Sequence, residues 1–149
     1  MSDARILEIV DIFSDLTSEQ LETIYHICNE KICSQATVIV KENTPTTEIY
    51  VILQGQVEIV VGQNRLNEKR EKCIGVLDRG QSFGEVALVD EGLRSATVRC
   101  LSESCRLLEI SRSDFLELLK THPDIGFKVM YNLAADLCLK FRETSFRIR

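Results

Sequence analysis

The sequence predicts a mainly β fold, a jelly-roll or barrel with helices at both ends, and three observations carry that prediction. Between residues 31 and 111 the chain breaks into short apolar, β-branched runs. Gly, Asn, Asp and Pro separate these runs every few residues, as expected of a closed or two-layered antiparallel sheet. In residues 1–30 and 112–149 the apolar residues instead recur every three or four positions, the period of a helix face.

Taken in order, Ala4 to Phe13 carries Ile6, Leu7, Ile9, Val10 and Phe13 at helical spacing and predicts a first helix. Thr17-Ser18-Glu19-Gln20 is a capping-box start for a second, running to about Cys28. Strands are expected at Ile32-Cys33, Thr37 to Val40, Ile49 to Leu53 and Val57 to Val61. Asn43-Thr44-Pro45-Thr46 and Gln54-Gly55-Gln56 supply turns between them. A polar loop is expected from Gly62 to about Lys69, then a strand at Cys73 to Leu77, a turn at Asp78-Arg79-Gly80, and strands at Ala96 to Leu101 and Arg106 to Ile110. Ser111-Arg112-Ser113-Asp114 opens another helix, with Phe115, Leu116, Leu118 and Leu119 on one face, and His122-Pro123 ends it. Pro123 begins the last helix, whose Phe127, Met130, Leu133, Leu137 and Phe141 form an apolar stripe. The stripe packs on the barrel or forms a dimer seam, and its length of about twenty residues favours the dimer.

Length and composition narrow the function classes. A chain of 149 residues fits one domain able to bury a sizeable core, and 44% apolar with 28% charged residues is ordinary for a globular protein. The net charge of −5 argues against nucleic acid, which calls for a basic face. No apolar run approaches the roughly 18 residues of a membrane helix, and Met1-Ser2-Asp3 begins no secretory signal, so a cytoplasmic protein is expected. The six cysteines, at 28, 33, 73, 100, 105 and 138, are then expected to be reduced. None shows the Cys-x2-Cys spacing common in zinc sites, and the two histidines, His26 and His122, lie far apart, so no metal site is expected. No Ser-His-Asp or Cys-His arrangement supports a catalytic residue, and an oxygenase barrel would need clustered histidines.

The informative stretch runs from Phe83 to Thr97. Gly84 precedes a segment, Glu85 to Val89, long enough for about one and a half helical turns, and Gly92 breaks it. A glycine before a short helix permits close approach to backbone N–H groups at the positive end of the dipole, which suits phosphate. Arg94 can offer a forked donor pair to two phosphate oxygens, and Ser95 adds a hydroxyl. Glu85 can accept a hydrogen bond from a sugar hydroxyl. Singly, an acid in a first helical turn or an arginine in a loop is more often structural or solvated. The combination is what points to a ligand.

At these residues, Phe-Gly-Glu-Val-Ala-Leu followed by Arg-Ser-Ala-Thr-Val, the sequence resembles the phosphate-binding cassette of the cyclic nucleotide-binding domain family, found in catabolite activator protein and in regulatory subunits of cyclic-AMP-dependent kinase. The resemblance implies that Glu85 binds the ribose 2′-hydroxyl and Arg94 the cyclic phosphate. Backbone amides around Gly84, Val86 and Ala87 would complete the cradle. Many cassettes carry proline where this chain has Leu93, which implies a looser loop. Tyr50 to Glu58 resembles the strand, glycine turn and strand that precede the cassette, and by that resemblance Glu58 steadies the phosphate-binding arginine. In the final helix the register from Pro123 places Leu139, Lys140 and Phe141 nearest the purine, with Phe141 stacking and Lys140 reaching a ring acceptor.

The resemblance therefore implies one domain: helices at 1–30, a jelly-roll barrel (double-stranded β-helix) at 31–111 holding the cassette at 83–97, and helices at 112–149. It implies a regulatory sensor, not an enzyme, that binds cyclic AMP, cyclic GMP being the other candidate because Ser95 follows the arginine. The signal would pass through the C-terminal helix to a homodimer or a regulated protein partner, and no DNA-binding segment follows Arg149. A nucleotide-blind interaction domain of the same fold is the alternative.

Overall fold

The computed structural model describes residues 3–65 and 68–148. Contacts divide the chain into two compact units: one is Cys28–Arg112, the other joins the chain up to Ile27 to the chain from Ser113 onward.

The first unit contains, among the described residues, strands β1 (Cys28–Ser34), β2 (Val38–Val40), β3 (Ile49–Gln54), β4 (Val57–Arg65), β5 (Glu68–Leu77), β6 (Ser82–Phe83), β7 (Thr97–Cys100) and β8 (Ser104–Ile110). They form two antiparallel four-stranded sheets, ordered β1-β8-β3-β6 and β2-β7-β4-β5. This is the expected jelly-roll. Tyr50, Ile52, Phe83, Cys105 and Leu107 from one sheet meet Val40, Val57, Val98 and Cys100 from the other in a single core. Strand β7 shows why the sequence folds so: Val98 and Cys100 are buried while Thr97 and Arg99, which alternate with them, are partly exposed, the two-residue period of a strand with one face on the core. Strand β3 is buried from Ile49 to Leu53, which is why it reads as a continuous apolar run.

Outside the cassette, the structure departs from expectation in four places. The polar loop expected from Gly62 to about Lys69 is largely a hairpin: β4 continues to Arg65 and pairs with β5 from Glu68, in a register running from Val57↔Leu77 to Arg65↔Glu68. Its ladder is made by backbone groups, so polar side chains do not interrupt it; residues 66–67 lie outside the described residues. The first helix is two 3-10 segments, Asp3–Ile9 and Asp11–Phe13, separated by an extended Val10 and closed by i→i+3 bonds such as Phe13 N–H to Val10 O at 2.9 Å. The second helix stops at Tyr25, because Cys28 already pairs with Ile110 as β1 joins β8.

The helical unit holds α1 (Ser18–Tyr25), the body of α2 (Arg112–Thr121) and α3 (Pro123–Ile148). The expected capping box is present: Gln20 N–H donates to Thr17 Oγ1 at 3.2 Å, and Thr17 N–H to Gln20 Oε1 at 2.9 Å. Gln20 Nε2 also donates to Asp124 Oδ2 at 2.8 Å, tying α1 to the start of α3. Leu7, Ile12, Phe13, Ile24 and Phe115 form the centre of this unit with Ile125, Val129 and Leu133 of α3. Here is the fourth departure: the stripe expected on α3 divides. Leu133 is buried, whereas Phe127 (71% exposed) and Phe141 (73%) face away from the buried Ile125-Val129-Leu133 row. The helix thus carries two apolar faces.

Candidate functional site

The cassette is fixed from both ends. Strand β6 pairs with β3, Phe83 opposite Tyr50, and the two rings stack with centroids 5.0 Å apart. The Tyr50 hydroxyl donates to Glu109 Oε2 at 2.8 Å, and burial followed by that carboxylate pushes its pKa up. The chain leaves this anchor through Gly84 at φ +82°, and a Cβ there would lie 2.8 Å from Glu48 O and 2.9 Å from Arg94 Nη1. Both the backbone conformation and the space demand glycine. The next segment, Glu85–Leu88, is one 3-10 turn and not the longer helix expected. Ala87 N–H donates to Gly84 O at 3.1 Å and Val89 N–H to Val86 O at 3.0 Å, and Glu85 is buried with Ala87 and Leu88. Downstream, Gly92 N–H is bound by Asp90 Oδ1 at 2.8 Å, which closes the turn before Arg94.

Arg94 is immobilised by its backbone and its side chain alike. Its N–H donates to Thr44 O at 2.9 Å, and its carbonyl accepts from Asn43 N–H at 2.8 Å. The guanidinium, on a residue only 8% exposed, donates Nη2 to Glu48 O at 2.7 Å, Nε to Thr46 Oγ1 at 3.1 Å and Nη1 to Gly84 O at 3.4 Å. Its paired carboxylate, Glu48 Oε2, stands back at 3.9 Å. A buried cation held mostly by neutral acceptors keeps much of its field unneutralised, and burial pulls its pKa below the ordinary arginine value against the opposing pull of Glu48. Chemically the site offers a fixed, buried guanidinium in contact with Gly84 and, next in the chain, a buried carboxyl group, Glu85, which is also 8% exposed. That set suits a ligand carrying both an anion and a hydroxyl.

Of the residues singled out from sequence, Gly84 and Arg94 touch, and Glu85 follows Gly84 directly. Val86 and Ser95 are exposed. The Ala87 amide donates to Gly84 O, because a 3-10 turn bonds each N–H three residues back. Glu58 is also corrected: its carboxylate takes the Arg99 Nε at 2.5 Å across the β4–β7 pair, and the acid at Arg94 is Glu48. Lys140 and Phe141 belong to the helical unit, where Lys140 pairs with Asp136 at 2.9 Å and Phe141 is exposed. Leu139 is exposed on the same helix.

Sequence reasoning missed Thr46, Glu48 and Arg112. The first two sit in or beside a stretch read only as a turn. Arg112, read as part of a helix cap, donates Nε to Ala87 O at 2.6 Å and pairs Nη1 with Glu91 Oε1 at 3.0 Å, so it holds the cassette turn and the loop that follows it. It also missed that Cys33, Cys100 and Cys105 converge, all three sulfurs within 4.8 Å of one another, since they come from three different strands.

The sequence matches the family profile of the cyclic nucleotide-binding domain over residues 30–122. It is 31% identical over 120 residues, 80% of the chain, to the cGMP-dependent protein kinase, isozyme 2 forms cD5/T2, of Drosophila melanogaster, and spans 13% of that protein. It is 28% identical over 137 residues, 92% of the chain, to the cyclic AMP receptor protein of Thermus thermophilus, and spans 60% of it. Among solved structures, the Thermus thermophilus catabolite activator protein superposes with a TM-score of 0.79 at 27% identity, covering 93% of this chain and 61% of that one. The chain thus spans less than two thirds of these relatives' own lengths. The profile match takes in the Gly84, Glu85 and Arg94 site, strands β2 to β8 and β1 from Glu30 on, and the chain belongs to the cyclic nucleotide-binding domain family.

Proposed function

We propose that this chain is a regulatory sensor of cyclic AMP. The observation that carries the reading is Arg94, buried, hydrogen-bonded by neutral acceptors and packed against Gly84, with Glu85 next in the chain. In this reading the fixed guanidinium offers its remaining N–H donors to the cyclic phosphate and the Glu85 carboxylate accepts the ribose 2′-hydroxyl. Backbone amides around Gly84, Val86 and Ala87, at the head of the 3-10 turn, complete the phosphate contacts. The preference for cyclic AMP is supported by the extent of likeness: the match to the cyclic AMP receptor covers 92% of the chain, and that to the cGMP-dependent kinase 80%.

The signal leaves by Arg112. This residue holds Ala87 O and Glu91 and is also the first residue of α2, so a ligand that reshapes the Glu85–Leu88 turn acts on the start of that helix through two polar bonds. The readout is a second copy or a regulated protein partner at α3, whose Phe127, Tyr131 and Phe141 form the outward apolar face that such an interface buries. The reading assigns the chain a regulatory, non-catalytic role in the cytoplasm. No described helix is long and apolar enough to cross a membrane.

Calorimetric titration of chain freed of co-purified ligand by unfolding and refolding tests this. Micromolar or tighter binding of cyclic AMP is expected, with weaker binding of cyclic GMP. Arg94→Ala should weaken cyclic AMP binding by roughly thirtyfold to several thousandfold, since losing a desolvated partner of a charged ligand costs about 2–5 kcal/mol. Absence of binding to either nucleotide would replace the sensor by an interaction domain of the same fold.

A further inference from the structure

Cys33, Cys100 and Cys105 meet where three strands end together. Cys33 lies opposite Cys105 in the β1–β8 register, and Cys100 is the last residue of β7. The Cys100 and Cys105 sulfurs are 2.8 Å apart, and all three sulfurs fall within 4.8 Å of one another. Cys100 and Cys105 are 2% and 1% exposed, while Cys33 is half-buried and gives a route in from solvent. The surroundings keep the group close: Cys100 Sγ donates to Ser102 O at 3.3 Å, Cys105 Sγ to Gln56 O at 3.1 Å, and Ser102 Oγ lies 3.4 Å from Cys105 Sγ. Gly55, at φ +92°, passes so near that a Cβ would sit 3.0 Å from the Cys105 sulfur.

We propose that these three thiols form a binding site for one monovalent copper ion, held as a three-coordinate thiolate centre. Thiolate ligands select soft cations, Cu(I) and Zn(II) foremost. A closed zinc centre takes four protein ligands, whereas this cluster holds three sulfurs and no histidine or carboxylate. Metal–sulfur bonds of about 2.3 Å in a trigonal plane put the sulfurs about 4 Å apart, inside the observed spread, with Cys100 and Cys105 parting by roughly 1 Å as the ion enters. A Cys100–Cys105 disulfide is the competing use of the pair, and its formation needs a thiolate to attack an oxidant. Both sulfurs are buried, where a bare anion without a compensating cation is disfavoured. A copper ion entering the cluster bonds all three sulfurs, offsets one of the three thiolate charges in place, leaving a centre of net charge −2, and expels three protons to solvent; a neutral oxidant offsets none.

The test is anaerobic titration of the reduced full chain with Cu(I) in competition with the chromogenic chelator bathocuproine disulfonate. One ion per chain is expected, with a near-ultraviolet thiolate-to-copper absorption. Cys33→Ser should weaken retention at least a hundredfold, Cys73→Ser/Cys138→Ser should leave it unchanged, and Zn(II) should bind at least a hundredfold more weakly. In the wild-type chain, where no substitution can disturb folding, copper should slow alkylation of Cys33 at least tenfold while leaving Cys73 and Cys138 as reactive as before. Copper retained by Cys33→Ser, zinc held as tightly as copper, unslowed alkylation of Cys33, or a chain that takes up no copper and carries a Cys100–Cys105 disulfide would each overturn the proposal.

Discussion

Two arginines five residues apart occupy opposite electrostatic situations. Arg99, on β7, faces outward between two carboxylates, Glu58 at 2.5 Å and Glu71 at 2.8 Å, and its hydrogen bonds to them raise its pKa above the ordinary value. Arg94 is buried, takes two backbone carbonyls and a hydroxyl, keeps its carboxylate at 3.9 Å, and has its pKa lowered by burial. The first cation is neutralised where it stands; the second is held in place without being neutralised. A guanidinium of the second kind is prepared for an incoming anion, because the geometry is already fixed and no strong ion pair must be broken first. In this chain the arginine on the strand is therefore not evidence of a site, and the neutral set of acceptors around the buried one is.

If that contrast is right, acids in the two regions should report in different measurements. Glu85→Gln keeps the shape of the cassette and removes the ionised acceptor, which as a charged hydrogen-bond partner is worth about 1.5–3 kcal/mol, or roughly tenfold to a hundredfold in nucleotide affinity. The partner hydroxyl can be removed independently by titrating 2′-deoxy cyclic AMP. Wild type should lose most of its affinity for that analogue relative to cyclic AMP, whereas Glu85→Gln should hardly distinguish the two. Equal discrimination by both proteins would take the ribose contact away from Glu85.

Glu48 gives a smaller effect with the opposite sign. Its carboxylate lies 3.9 Å from Arg94 Nη2, while the bond that positions the guanidinium at 2.7 Å comes from its backbone carbonyl. Glu48→Gln thus spares the positioning bond and removes a negative charge that a cyclic phosphate would have to approach. Electrostatic attraction across a few ångströms near a surface favours tighter binding of the nucleotide by a few-fold, more at low salt than at high. Weaker binding would mean that the Glu48 carboxylate positions Arg94 and that the contrast with Arg99 is one of degree.

What the sequence made legible follows from how local each feature is. The jelly-roll, the Thr17 capping box and the Gly84-Glu85 to Arg94 cassette are written in neighbouring residues, whose period, turn chemistry and spacing survive being read along the chain. The β4–β5 hairpin was hidden because its ladder depends on backbone pairing while Gly62-Gln63-Asn64-Arg65 carries loop-like side chains. Arg94's surroundings were hidden for another reason: Glu48 and Thr46 reach it from 46 and 48 residues away, and only the fold decides that they, and not Glu58, stand beside it. The cysteine cluster is the extreme case, since Cys33 and Cys100 are 67 residues apart and no spacing rule along the sequence joins them. On α3 the period was right and the partner ambiguous: apolar residues at three and four spacing serve equally for the buried row Ile125-Val129-Leu133 and the outward Phe127 and Tyr131.

The smallest expected effect is at Arg99. Its two carboxylates are partly exposed, so each pair is screened by solvent, and Arg99→Ala should cost no more than about 1 kcal/mol of stability, less at high salt. Nucleotide affinity should change by less than twofold at constant ionic strength, because the Arg99 charge is already balanced and removing it, with Glu58 and Glu71 left behind, adds only remote and screened negative potential. Thermal melting with and without cyclic AMP separates the two quantities: both melting temperatures should fall together and the ligand-induced rise should persist. Should Arg99→Ala instead abolish that rise while sparing the ligand-free melting temperature, Arg99 would belong to the binding site, and neutralisation by neighbouring acids would no longer tell a structural arginine from a ligand-ready one.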